Sequence, residues 1–121
     1  MIDVTALGEI LIDFTPCGKS EAGQRVFEQN PDGALVCTKE GSVVVPGFKA
    51  EMVDTTGAGD SFWGGFLNCL LESEKKPSEI SLEEVVDFAK YGNAVAGLCV
   101  EKRGAIPAMP TIEEIKERLD Q

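Results

Sequence analysis

The chain has 121 residues, 43% apolar and 26% charged, which is enough for one small domain around a single core and too few for two. Its net charge of −10, from 21 acidic and 11 basic side chains, excludes nucleic acid and anionic membranes as long-range partners. It leaves room for a phosphate ligand, because backbone amides make a local positive field on an acidic protein.

From the N-terminus, Met1–Val4 carries neither the basic region nor the cleavage site of a signal peptide. No apolar run reaches the roughly 18 residues of a membrane helix, so a cytoplasmic location is the expectation. Residues 4–14, VTAL-GE-ILIDF, read as a buried strand that continues past a bend. From Thr15 to Gly33 the composition turns to Gly, Pro, Ser, Asn and charges, which predicts loop. Ala34–Thr38 and Ser42–Val45 read as short strands about a turn, with Pro46-Gly47 ending the second.

Three helices are predicted after that. The first runs from about Asp60 to Glu74, with Phe62, Phe66, Leu67, Leu70 and Leu71 on one stripe. The second begins at Ser81, three residues before Glu84, and carries Val85, Phe88, Ala89, Val95, Ala96 and Cys99 inward. The third begins at Thr111, three residues before Glu114, with Ile112, Ile115 and Leu119. There is no histidine, and the four cysteines (Cys17, Cys37, Cys69, Cys99) form no C-x-x-C pair. That removes the usual zinc ligands and any His-based triad, leaving reduced structural cysteines as the expectation.

The segment richest in chemistry is Asp54-Thr55-Thr56-Gly57-Ala58-Gly59-Asp60-Ser61-Phe62. Small residues open directly into a helix, so amides at Gly57, Ala58 and Gly59 can converge without a Cβ in the way. The helix N-terminus adds unpaired N–H groups and partial positive charge, which makes an anion hole for a phosphate or for charge developing in phosphoryl transfer. Asp60 has two readings: a helix N-cap, which is the simpler one on spacing alone, or a general base that takes a proton from an attacking hydroxyl. The glycines do not form a Walker motif, since no G-K-[ST] follows.

D-T-T-G-A-G-D-S-F-W-G-G resembles the C-terminal signature of the ribokinase-like (PfkB) sugar kinases. V-P-G-F-K before it, with Y-G-N-A-V-A-G and R-G-A-I-P-A-M-P after it, are similar to fructokinases. The resemblance implies a three-layer α/β/α fold, here reduced to a small, partly parallel sheet with C-terminal helices. It also implies ATP, with magnesium, and a fructose-like sugar as substrates. Under it Gly57, Ala58 and Gly59 hold the transferring phosphate and Asp60 is the base. The nucleotide base lies near the helix of Asn93, with Ala96 and Gly97 as neighbours, and Thr38 and Gly41 belong to a nucleotide-touching loop. A potassium ion beside the anion hole would take backbone oxygens of Asp54, Thr56, Cys99, Lys102, Gly104 and Ala108; on spacing alone Gly104 is an ordinary helix C-cap.

V-T-A-L-G-E-I-L-I-D-F resembles the first fructokinase strand, whose closing carboxylate, here Asp13, binds sugar hydroxyls. N-P-D-G-A resembles the sugar-contacting loop, with Gly33 retained and Asp32 standing where the family has glycine. The resemblance thus divides the chain into an N-terminal remnant, 1–34, and a C-terminal catalytic part, 35–121, within one incomplete domain. The lid strands, several βα units and the N-x-x-E motif that organises magnesium in the family are not among these residues. Three helices would cover one side of such a sheet at most, leaving apolar faces free for a homo-oligomer or a complementary fragment. Little or no kinase activity is therefore expected from this chain alone.

Overall fold

The computed structural model describes the strands β1 (Phe14–Lys19) and β2 (Arg25–Gln29) and residues 33–121. β1 and β2 form an antiparallel pair with an irregularity between Pro16 and Gly18. These strands occupy a stretch whose composition predicts loop, a difference that comes from local pairing overriding a Gly- and Pro-rich composition. The strand expected over residues 4–14 lies outside the described residues except for Phe14.

β3 (Ala34–Thr38) and β4 (Gly41–Val45) form a second antiparallel pair, in register from Ala34 opposite Val45 to Thr38 opposite Gly41. Because side chains alternate across a strand, Val36 and Val45 are buried while Leu35 and Val44 are 69% and 63% exposed. Both sheets among the described residues are antiparallel. β3 begins at Ala34, so a division after residue 34 would cut the strand. Just before it Gly33 has φ 105°, and a Cβ there would stand 1.9 Å from the Val45 carbonyl oxygen. Only glycine fits.

The helices are α1 (Ala58–Glu72), α2 (Leu82–Val100) and α3 (Ile112–Leu119), with single 3-10 turns at Pro77–Glu79 and Ile106–Ala108. Ser81 caps α2, accepting from the Glu84 amide while the Glu84 carboxylate accepts from the Ser81 amide at 3.0 Å. Thr111 and Glu114 do the same for α3. Both match the spacing expected from sequence, and each cap contributes about 1 kcal/mol.

α2 is the centre of the arrangement. One core cluster joins Val36 and Val45 to Phe62 and Ala89, with Trp63, Phe66, Leu82, Val85 and Val86 around it. A second joins Ala94, Val95 and Leu98 to Ile115, with Phe48 and Tyr91 beside it. α1 crosses α2 antiparallel at close range: a Cβ on Gly65 would come within 2.8 Å of Val95, and one on Gly92 within 2.8 Å of the Phe62 ring. Edge-on contacts between Phe62 and Trp63, Trp63 and Phe66, and Phe66 and Phe88 extend this contact along α1. Leu67 and Leu71, expected on the inner stripe, are 41% and 76% exposed. The close approach needs Gly65 there instead, which rotates the inner face toward Phe62 and Gly65.

Candidate functional site: the loop opening helix α1

The segment from Met52 to Gly57 runs past the C-terminal end of α2. The Val53 and Asp54 amides both donate to the Val100 carbonyl, at 2.8 and 3.1 Å. The Asp54 carboxylate then closes a turn on itself: Oδ1 accepts from the Thr56 amide at 3.0 Å and from its hydroxyl at 2.7 Å. Oδ2 accepts from the Gly104 amide, 2.9 Å away in the loop after α2. The Gly104 and Thr56 donors together pull the Asp54 pKa from 3.8 down to about 2, because hydrogen bonds to a carboxylate favour its charged form.

Gly57 follows as the N-cap of α1, in the left-handed conformation at φ 80°, ψ 6°. A Cβ added to it would meet that of Ala105 at 2.6 Å, so both the backbone angle and the contact call for glycine. Ala58 and Gly59 are the first two helical residues, and a Cβ on Gly59 would meet nothing within 4 Å. The Ala58 amide donates to the Thr55 carbonyl at 3.2 Å, while the space beside Gly59 is open, so an anion can approach the start of the helix there.

Asp60 is the third residue of α1 and is exposed. Because Gly57 is the cap, with no side-chain cap bond, the N-cap reading of Asp60 is corrected. Among the described residues no hydrogen bond or ion pair engages its carboxylate, which stands exposed near the start of the helix. Ser61 behind it is buried, with its hydroxyl on the Ala58 carbonyl at 2.8 Å.

The other expected site residues fall in different places. Asn93 is buried on α2, and its amide nitrogen donates to the Val45 and Pro46 carbonyls, both at 3.1 Å. Its side chain thus ties α2 to the end of β4. Ala96 packs against the first core cluster, and Gly97 lies beside Phe48 and Arg118. Thr38 and Gly41 sit at the β3–β4 turn, where Glu40 accepts from the Leu82 amide at the start of α2. The loop opening α1 adjoins the other end of α2, about 27 Å away along a helix of this length. Thr38 and Gly41 therefore do not share one site with Gly57–Asp60. Gly33 instead stands against Val45, whose carbonyl also receives Asn93. Asp13 lies outside the described residues.

The expected cation ligands gather more closely. Asp54 and Thr56 adjoin Gly104 through the carboxylate bonds above, and the thiol of buried Cys99 faces the Ala105 carbonyl at 4.0 Å. Ala108, also buried, donates its amide to Ala105. No group of three or more His, Cys, Asp or Glu side chains converges among the described residues. A cation here would be held by backbone carbonyls, a donor set that suits a weakly hydrated monovalent ion. The Cys99 carbonyl already accepts from the Lys102 amide at 3.3 Å, and the Lys102 ammonium is paired to Glu114 at 2.7 Å.

A family model, "pfkB family carbohydrate kinase", matches residues 2–112. The chain belongs to the PfkB carbohydrate kinase family. It is 43% identical over 88 residues to fructokinase-2 of Zea mays, an alignment covering 72% of this chain and 25% of that protein. Among solved structures it resembles the aminoimidazole riboside kinase of Salmonella enterica, complexed with aminoimidazole riboside and an ATP analogue. The TM-score is 0.67 with 32% identity, over 75% of this chain and 29% of that one. It also resembles a fructokinase double mutant from Vibrio cholerae O395, bound to fructose, ADP and a potassium ion. There the TM-score is 0.64 with 31% identity, over 74% of this chain and 28% of that one. The chain thus has a PfkB-type α/β fold and spans about a quarter of the length of these relatives.

The residue least legible beforehand is Asp54 as a side chain. The resemblance implied a role for its backbone oxygen, while the spacing D-x-T does signal an Asx-type turn.

Proposed function

We propose that the loop opening α1 is the phosphoryl-transfer centre of an ATP-dependent, fructokinase-like sugar kinase. The observation that carries this reading is the left-handed Gly57 cap opening α1, with free space beside Gly59 and an exposed Asp60 that no other described residue engages. The Gly57, Ala58 and Gly59 amides would face the transferring phosphoryl group, stabilising its equatorial oxygens. Asp60 would take the proton from the sugar hydroxyl as that oxygen attacks phosphorus and the bond to the ADP leaving group breaks. Proton transfer to a positioned carboxylate typically supplies 10²–10⁴-fold. Magnesium on the nucleotide would neutralise phosphate charge, and potassium at the carbonyls near Asp54, Thr56 and Gly104 would add a local positive field. The face of α2 bearing Ala96 and Gly97 is the expected neighbour of the nucleotide base; Asp13 and Gly33 remain the proposed sugar contacts.

Catalysis of this kind rests on positioning, and about a quarter of the relatives' length is present. The chain alone is expected to bind nucleotide while turning over sugar negligibly. The test is transfer from γ-labelled ATP to fructose, with magnesium and potassium, by the chain and by Asp60→Asn. Background-level transfer in both agrees with the expectation. Transfer by the chain that vanishes in Asp60→Asn would overturn the expected inactivity while supporting Asp60 as base.

A second reading, an interaction fragment, is favoured by the outer face of β3–β4, where Leu35 and Val44 stand exposed. Light scattering over a range of concentrations reads it directly: concentration-dependent association indifferent to nucleotide supports this reading.

A further inference from the structure

We infer that the Asp54 side chain is the positioning residue of the anion hole, acting through the Gly104 amide. This rests on the proposed role of Gly57–Gly59.

Helix geometry orients the amides at the start of α1, but it does not fix the loop that delivers them. That loop is stitched to the C-terminal end of α2 at three levels. Val53 and Asp54 donate to the Val100 carbonyl. Asp54 Oδ2 takes the Gly104 amide at 2.9 Å, while Oδ1 takes both Thr56 donors. Gly57 lies against Ala105, the residue after Gly104. One carboxylate therefore spans residues 54, 56 and 104 and holds the loop after α2 against the turn that begins the anion hole. Gly104 is itself left-handed, at φ 85°.

The bridge needs two acceptor oxygens on one side chain. Asparagine keeps one oxygen and presents an amide N–H₂ on its other side, so either the Thr56 turn or the Gly104 bond is lost and two donors face each other. Asp54→Asn is expected to leave the α1–α2 and α2–α3 cores intact, since Asp54 belongs to neither cluster, while the hole loosens.

Two readouts on the full chain test this. In amide hydrogen exchange without ligand, Asp54→Asn is expected to speed exchange at Gly104 and Thr56 at least tenfold, leaving the centre of α2 unchanged. In titration with MgADP well below the melting temperature, the Kd is expected to rise at least tenfold; a merely structural role would lower the Tm and leave the Kd of the folded chain unmoved. Thr56→Val, which removes only the hydroxyl bond, is a milder variant should Asp54→Asn fold poorly, with a roughly threefold rise in Kd expected. Unchanged exchange at Gly104, or an MgADP Kd within twofold of the parent, overturns the assignment. If the parent binds no MgADP while exchange at Gly104 accelerates in Asp54→Asn, the bridge stands and the nucleotide reading fails.

Discussion

Asp60 and Gly57 divide one task between them. Gly57 supplies the left-handed cap that lets α1 begin without a capping side chain, and that leaves the Asp60 carboxylate free of the helix end. A carboxylate beside an anion hole repels bound phosphate, so its presence there needs a reason other than binding. Asp60→Asn is accordingly expected to bind MgADP as tightly as the parent or up to several-fold more tightly, by calorimetric titration. A tenfold loss of affinity would show that Asp60 serves binding instead of proton transfer. Gly33 makes an independent demand: with φ 105° and a Cβ placed 1.9 Å from the Val45 carbonyl oxygen, Gly33→Ala is expected to cost about 2–4 kcal/mol in chemical denaturation. The sequence showed both glycines, yet only the structure separates the anion-hole glycine from the one that seats β3. The D-T-T-G-A-G-D run was legible as a glycine-rich turn opening a helix because its backbone signals are local. Where Thr38 and Gly41 lie was not legible, because it depends on which end of α2 the β3–β4 turn meets, and no local pattern carries that.

The elements themselves were legible in proportion to how local their signals are. Ser81 with Glu84 and Thr111 with Glu114 announce α2 and α3 by spacing, and both capping boxes are present. The start of α1 was read at about Asp60 because a polar cap is the usual signal, whereas a left-handed glycine performs that function. The strands β1 and β2 gave no such signal, because pairing between neighbouring strands is not encoded in a Gly- and Pro-rich composition.

Ser81→Ala and Thr111→Ala should each destabilise by about 1 kcal/mol, read as a fall in Tm of about 4–8 °C for a domain of this size. The Lys75 hydrogen bond and the Ser81 amide lower the Glu84 pKa from 4.5 to about 2, and Glu114 is lowered by Lys102 and Thr111. A carboxylate with a depressed folded pKa contributes stability above its unfolded pKa and loses it as pH falls through the folded one. The Tm should therefore decline as pH drops from about 4.5 toward 2, and less steeply in Glu84→Gln. A parent and variant with parallel pH profiles would contradict the cap ion pair. Gly92→Ala, which drives a methyl into the Phe62 ring, should cost about 1–3 kcal/mol by overpacking.

Across the whole molecule, α2 joins two small cores, and the proposed anion hole lies where its C-terminal end meets the start of α1. Both cores and that junction fall within residues 33–121, which accounts for a recognisable PfkB relationship in a chain spanning about a quarter of its relatives. The family, and with it the α/β class, was legible from the motifs. Uncovered apolar surface was expected without positions; Leu35, Val44 and Ile106 are exposed, and so is Leu71, which the helical stripe placed inward. The measurement that tests the central claim most directly is thermal unfolding of the chain with and without MgADP, in potassium buffer. The site described here should give one cooperative transition that rises with nucleotide, approaching about 2.7 kcal/mol of added stability at a hundred times the Kd. A broad transition indifferent to MgADP would contradict a working anion hole in this chain.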